Sequence, residues 1–150
     1  TNDTLILFTV WSDGLYIYNK KSGIITHPGE KQHERSFSSM DLLLEDHQLW
    51  IATFNDGLLH YNLKTMSFRQ FNYDGIATSM IPTKMVNLLK RLHDGRLLVI
   101  STELGICIFN EATASFHEIG SRVGIYNDIH IKGIEQDKKV QSGFSPTGRL

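Results

Sequence analysis

Short apolar runs separated by brief polar turns make up most of this chain. "LILF" (5–8), "LWIA" (49–52) and "LLVI" (97–100) are unbroken apolar segments, which predicts strands covered on both faces. "GLLHYN" (57–62) and "GICIFN" (105–110) follow the latter two. "SFRQF" (67–71) and "SFHEI" (115–119) mix polar and apolar side chains, as a solvent-facing outer strand does. Turn residues divide these pieces: Glu45-Asp46, Asn55-Asp56-Gly57, Asn62-Leu63-Lys64 and His93-Asp94-Gly95. "MVNLLKRLHD" (85–94) has the length of one or two helical turns, but Pro82 and its place in the pattern predict a strand. No amphipathic helix is evident.

The pattern repeats. "WSDGLYIYN" (11–19) and "FNDGLLHYN" (54–62) are nearly the same nonapeptide, and "STELGICIFN" (101–110) is a third version. Gly14, Gly57 and Gly105 each precede an Asn by five residues, and Gly148 continues the series at intervals of 43, 48 and 43 residues. Asp-Gly between apolar runs is a hairpin signal, because Gly takes positive φ at low steric cost. Four short strands in about 40–50 residues is the pattern of a β-propeller blade. A β-sandwich alternates more cleanly, and a leucine-rich repeat is shorter. The predicted fold is therefore all-β, a propeller fragment of about three and a half four-stranded antiparallel blades. It forms one partial propeller over 1–150, with units near 1–30, 37–73, 85–120 and 128–150. About 45 residues per unit is too much for 150 residues to close a ring of about 4–8 blades. The expectation is a piece of a larger propeller, or copies associating edge to edge. A further expectation has residues around Val140 pairing as a strand beside Leu5 to Phe8.

Composition narrows the function. The 150 residues are 41% hydrophobic and 10% aromatic, enough to build a core. Fifteen basic and sixteen acidic residues, with no basic cluster, argue against nucleic-acid binding. No apolar run approaches the ~18 residues of a membrane span, so no insertion by this segment is expected. The opening "TNDTLILF" lacks the features of a signal peptide, and the missing Met suggests an excised piece. Cys107 is the single cysteine, so no internal disulfide forms.

"EDHQLWIATFNDGLLHYN" (45–62) and "HDGRLLVISTELGICIFN" (93–110) resemble two-component regulator propeller repeats. That pattern is an Asp-containing turn, Leu-Trp-Ile-Gly/Ala-Thr, a short loop, Gly-Leu, then an aromatic residue and Asn. The resemblance runs from Leu5 to Leu150 and is most specific in the middle copy. The third copy has Leu98 in place of Trp, Ser101 before Thr102, and a loop read as one residue shorter. The first copy has "FTVW" in the Thr region, and "KVQSGFSPTGRL" (139–150) keeps little beyond its glycine. The resemblance implies the periplasmic sensor region of a hybrid two-component sensor histidine kinase of Bacteroidetes, detecting polysaccharide breakdown products. Kinase, receiver and DNA-binding segments are absent from these residues, so such activity would belong to a longer parent.

Catalytic chemistry finds little support. "GFSPTGRL" (143–150) has phosphate-loop glycine spacing, but Arg149 and Leu150 replace the required Lys and Ser or Thr. The histidines at 27, 33, 47, 60, 93, 117 and 130 show no paired metal-ligand spacing and are assigned to turns and outer strands. Cys107 lies among apolar neighbours, where burial makes a thiol inert. No nucleophile elbow occurs. Asp41, Glu45 and Asp46 are assigned to turns rather than to an acid–base pair. Asn2-Asp3-Thr4 matches a glycosylation sequon, which is chance in a bacterial protein. The expectation is no enzyme, no metal and no cofactor.

Trp11 and Phe54 occupy matching positions before the hairpin glycines. Their loops would gather at one face of a propeller, where aromatic rings can stack on a sugar. Asp13, Asn55, Asp56 and Glu103 would then bind hydroxyl groups. The plainer alternative, blade packing for the aromatics and turn formation for the polar residues, carries more weight. Trp50, inside an apolar strand, is assigned to the core. The favoured function is a sensory module for an oligosaccharide; the alternative is a structural propeller for protein contacts or receptor dimerisation. Expected partners are an oligosaccharide, and either further copies or the rest of the parent propeller at the blade edges.

Overall fold

The computed structural model describes residues 4–28, 36–71, 83–102, 105–119 and 131–137. Every regular element among them is a β-strand, and the strands form three antiparallel sheets. The first sheet holds β1 (Leu5–Val10), β2 (Gly14–Asn19) and β3 (Ile25–Thr26). The second holds β4 (Ser39–Glu45), β5 (Gln48–Thr53), β6 (Leu58–Asn62) and β7 (Ser67–Phe71). The third holds β8 (Leu88–Arg91), β9 (Leu97–Ser101), β10 (Gly105–Asn110) and β11 (Ser115–Glu118). Each sheet is a meander of consecutive strands. The "MVNLLKRLHD" segment therefore contributes a strand. The first sheet has three strands, and β1 occupies the register position of β5 and β9, the second strand of a unit, as expected for a chain whose first strand begins at Leu5. Of the predicted fourth unit, only 131–137 is described, and it carries no strand. The pairing at Val140 and the turn at Gly148 lie outside the described residues.

The repeated residues have separate local jobs. Gly14, Gly57 and Gly105 have φ of 99°, 70° and 76°, the left-handed conformation that opens each hairpin. The recurrent Asn closes the next turn. Asn19 Oδ1 accepts the amides of Lys21 and Ser22, Asn62 those of Lys64 and Thr65, and Asn110 those of Ala112 and Thr113. A side-chain oxygen two residues upstream mimics a backbone acceptor and fixes the turn. Four residues after each Asn the chain again takes positive φ, at Gly23, Met66 and Ala114.

The second sheet is covered on both sides. Trp50, Ala52 and Leu58 pack against Val86, in the chain entering the third sheet, and against Leu97, Val99 and Phe109 within it. Leu49, Ile51, Leu59 and Tyr61 pack against Leu15 and Ile17 of the first. This is why "LWIAT" is apolar at consecutive positions. The expectation fails for β1: Ile6, Phe8 and Val10 are exposed, because nothing among the described residues covers that face of the first sheet. The corresponding outer face of the third sheet is covered, as Ile131 and Ile134 pack on Leu98, Ile100 and Ile108.

Polar links join the sheets as well. Asp41 accepts the Leu89 amide at 2.9 Å, and Arg91 Nε holds both carboxylate oxygens of Glu45 at 2.8 and 2.9 Å. Arg91 also reaches Glu111. Hydrogen bonding to Glu45 raises the Arg91 pKa further, against the opposing effect of partial burial. Asp41 and Glu45 are thus strand residues bridging to the next sheet, which corrects their assignment to turns. Asp46 is a turn residue, with φ of 50°.

Candidate functional site

Counting back three residues from each hairpin glycine gives Trp11, Phe54 and Thr102. The register confirms the equivalence, since Val10 faces Gly14 and Ser101 faces Gly105, while the Thr53 amide donates to the Gly57 carbonyl. The third loop therefore has the same length as the others. Ser101, not Thr102, takes the place of Thr53, which corrects the shorter-loop reading.

Trp11 is 62% exposed and Phe54 36%. Their ring centroids are 5.9 Å apart, with planes inclined at 50°. Ser38 holds both loops: its hydroxyl accepts the Ser12 amide at 3.1 Å and its carbonyl accepts the Phe54 amide at 2.9 Å. The hydroxyls of Thr9 and Ser39 bond just below. The two aromatics are therefore a fixed pair spanning two sheets, with exposed ring surface. Their mutual contact also agrees with packing between units.

The polar candidates do not converge on this pair. Asp13 Oδ2 accepts the Tyr16 hydroxyl at 2.6 Å, and its carbonyl accepts from His27 Nε2 at 2.8 Å. Tyr16 stacks between His27 and Phe8, at 4.2 and 5.5 Å, so Asp13 belongs to the exposed side of the first sheet. Asp56 serves its turn: its amide donates to Thr53 Oγ1 at 2.9 Å, and its carbonyl accepts from Gln70 at 3.1 Å. Asn55 is exposed at the tip of the same loop. Glu103 lies outside the described residues.

Beyond Phe54, toward the third sheet, opens a pocket of about 380 Å³. Met40, Phe54, Met85, Leu88 and Ile131 form its apolar walls. Asn87, Thr102 and Lys132 supply the polar lining. Asn87 Oδ1 accepts both the amide of Thr102, at 2.7 Å, and its hydroxyl, at 3.0 Å. Only Phe54 of this set stood out in the sequence. The glycine-anchored count would have found Thr102; the others come from three separate segments and carry no shared local signal.

Other candidates have structural settings. Trp50 is buried and its ring lies 4.4 Å from that of His60. His60 sits on β6 opposite Trp50, neither in a turn nor on an outermost strand, which corrects its assignment. Burial lowers the His60 pKa, against the raising effect of Glu111 and together with the lowering effect of Arg69. Cys107 is buried, and desolvation with the nearby Glu118 carboxylate pushes its thiol up to about 11. Among the described residues no group of three or more His, Cys, Asp or Glu side chains could hold a metal, and no helix is long and apolar enough to cross a membrane.

No family model matches the sequence, and no curated protein sequence matches it. Solved structures do. The extracellular domain of BT3049 from B. thetaiotaomicron, assigned to a hybrid two component system, is similar with a TM-score of 0.61 at 19% identity over 77% of this chain. Two structures of the extracellular domain of BT4673 from the same organism, described once as a one component and once as a hybrid two component system, give 0.61 and 0.60. Their identities are 18% and 20%, each over 79% of this chain. The chain spans 15% of the length of each. At such identities the likeness is one of fold: three consecutive antiparallel sheets of the kind found in the extracellular domains of signalling systems.

Proposed function

We propose that this chain is part of a β-propeller in the extracytoplasmic sensor region of a two-component system, and that it takes part in recognising an oligosaccharide. The observation that carries the reading is the exposed Trp11–Phe54 pair beside a pocket of about 380 Å³. Aromatic faces held by backbone hydrogen bonds present flat apolar surface to a sugar ring at little entropic cost. The fold likeness to extracellular domains of signalling systems supports the setting. The chain itself acts by binding, without turnover; signalling belongs to the longer protein.

Thermal-shift screening against an oligosaccharide panel tests this reading. A ligand bound only to the folded state raises the melting temperature. The expected result is a shift that W11A and F54A abolish while both variants retain the parent's far-ultraviolet circular dichroism. A shift unaffected by both substitutions, or no shift across the panel, would overturn it.

One observation favours a structural role instead. Among the described residues nothing covers the face of the first sheet that carries Ile6, Phe8, Val10 and Ile25, and no strand pairs with the outer edge of β1. In this reading the face packs on a neighbouring blade, or on a second copy in a receptor dimer. Light scattering separates the cases: a stable monomer that unfolds cooperatively argues against self-association.

A further inference from the structure

We propose that the pocket between the second and third sheets takes a small ligand that carries a carboxylate beside an apolar face, and that Lys132 and Asn87 bind the carboxylate. Naming an acidic sugar as that ligand rests on the oligosaccharide reading above. The carboxylate preference rests on the pocket alone.

The pocket walls are apolar, and the available hydrogen-bonding groups are mainly donors. Asn87 spends its amide oxygen on the backbone and side chain of Thr102, which fixes the carboxamide and leaves its NH₂ to donate. Lys132 has no ion-pair partner among the described residues. Glu135, the nearest acid along its segment, is committed to Lys90, whose Nζ lies 2.9 Å from each carboxylate oxygen. The described lining residues include no carboxylate. A cation beside the low-dielectric wall of Met40, Met85 and Ile131 attracts an anion more strongly than one in open solvent. Phe54, also part of the lining, supplies aromatic surface for the apolar part. The volume lies within the roughly 300–1,000 Å³ of small-molecule sites.

Four probes decide the matter by titration calorimetry: methyl glucuronide against methyl glucoside, and 4-phenylbutyrate against 4-phenylbutanol. The expected result is that each carboxylate binds about tenfold more tightly than its neutral partner, the effect of one charge-assisted hydrogen bond. K132M should bring the two members of each pair within about threefold. Because Lys132 is exposed, K132M should also leave the melting temperature of the free protein unchanged. Equal binding of glucuronide and glucoside, unchanged by K132M, overturns the carboxylate site but leaves the sugar reading standing. Phenylbutyrate binding that K132M weakens, with neither sugar bound, retains the carboxylate site and removes the sugar reading. Silence from all four probes overturns the carboxylate site and the acidic sugar as its ligand, while the oligosaccharide reading stands or falls on the thermal-shift panel.

Discussion

The Thr53 hydroxyl donates to the Gly57 carbonyl at 2.7 Å and accepts the Asp56 amide at 2.9 Å, so one fully buried side chain closes the loop that carries Phe54. The same two residues tie the second sheet to the chain entering the third, since the Gly57 amide donates to Lys84 O and the Val86 amide to Thr53 O, both at 2.8 Å. Thr53→Val keeps the shape but removes both hydroxyl hydrogen bonds and leaves the Asp56 amide without its acceptor, while the Gly57 carbonyl keeps the Thr53 amide; the loss should be about 1–3 kcal/mol. Thr53→Ser retains the hydroxyl and should cost less. Urea midpoints of the two variants check this; a larger loss for Thr53→Ser than for Thr53→Val would show that packing of the methyl group, not the hydroxyl, is what matters.

Gly57 combines a φ of 70° with an amide committed to Lys84 in the chain entering the third sheet. A β-branched side chain is strained there, so Gly57→Val should destabilise by roughly 1–3 kcal/mol. Gly14→Val, with φ of 99°, should behave alike. An unchanged denaturation midpoint in both variants would contradict the turn geometry.

Met66 carries the opposite opportunity. It holds φ of 55° at a position where the first sheet has Gly23, and its side chain is 66% exposed. Relief of about 1–2 kcal/mol of left-handed strain exceeds the roughly 0.5–1 kcal/mol entropic cost of glycine. Met66→Gly should therefore stabilise by up to about 1 kcal/mol, and Ala114→Gly, with φ of 52°, should act the same way. A lower melting temperature in both would show that the side chains contribute more than the strain costs.

Much of the fold is legible in the sequence because the repeat writes it three times. Hairpin glycines and turn-closing asparagines are local devices, and a residue with only one conformational answer recurs at fixed spacing. The relationships between sheets are less visible. Asp41 and Glu45 look like turn acids until their partners, Leu89 and Arg91, come close from more than forty residues away. β1 is as apolar as β5, yet no described residue covers its far face, because the covering of a strand depends on a neighbouring sheet and not on its own residues. The candidate site divides the same way. The Trp11–Phe54 pairing follows from equivalent repeat positions, whereas the pocket assembles Met40, Asn87 and Lys132 from distant segments with no common motif.

His60 gives the fold a pH dependence whose sign follows from its surroundings. Its ring lies against Trp50, and desolvation there lowers its pKa below the usual 6.5. The unfolded chain therefore binds a proton more readily than the folded one. The stabilising contribution is complete well above pH 6.5 and is lost as pH falls from there through the lower folded pKa. Replacing His60 by Gln removes the titration while keeping a polar side chain of similar size. The wild-type denaturation midpoint should drop between about pH 7.5 and 5 more steeply than that of His60→Gln. Parallel curves for the two proteins over that window would show that His60 keeps an ordinary affinity for its proton against Trp50.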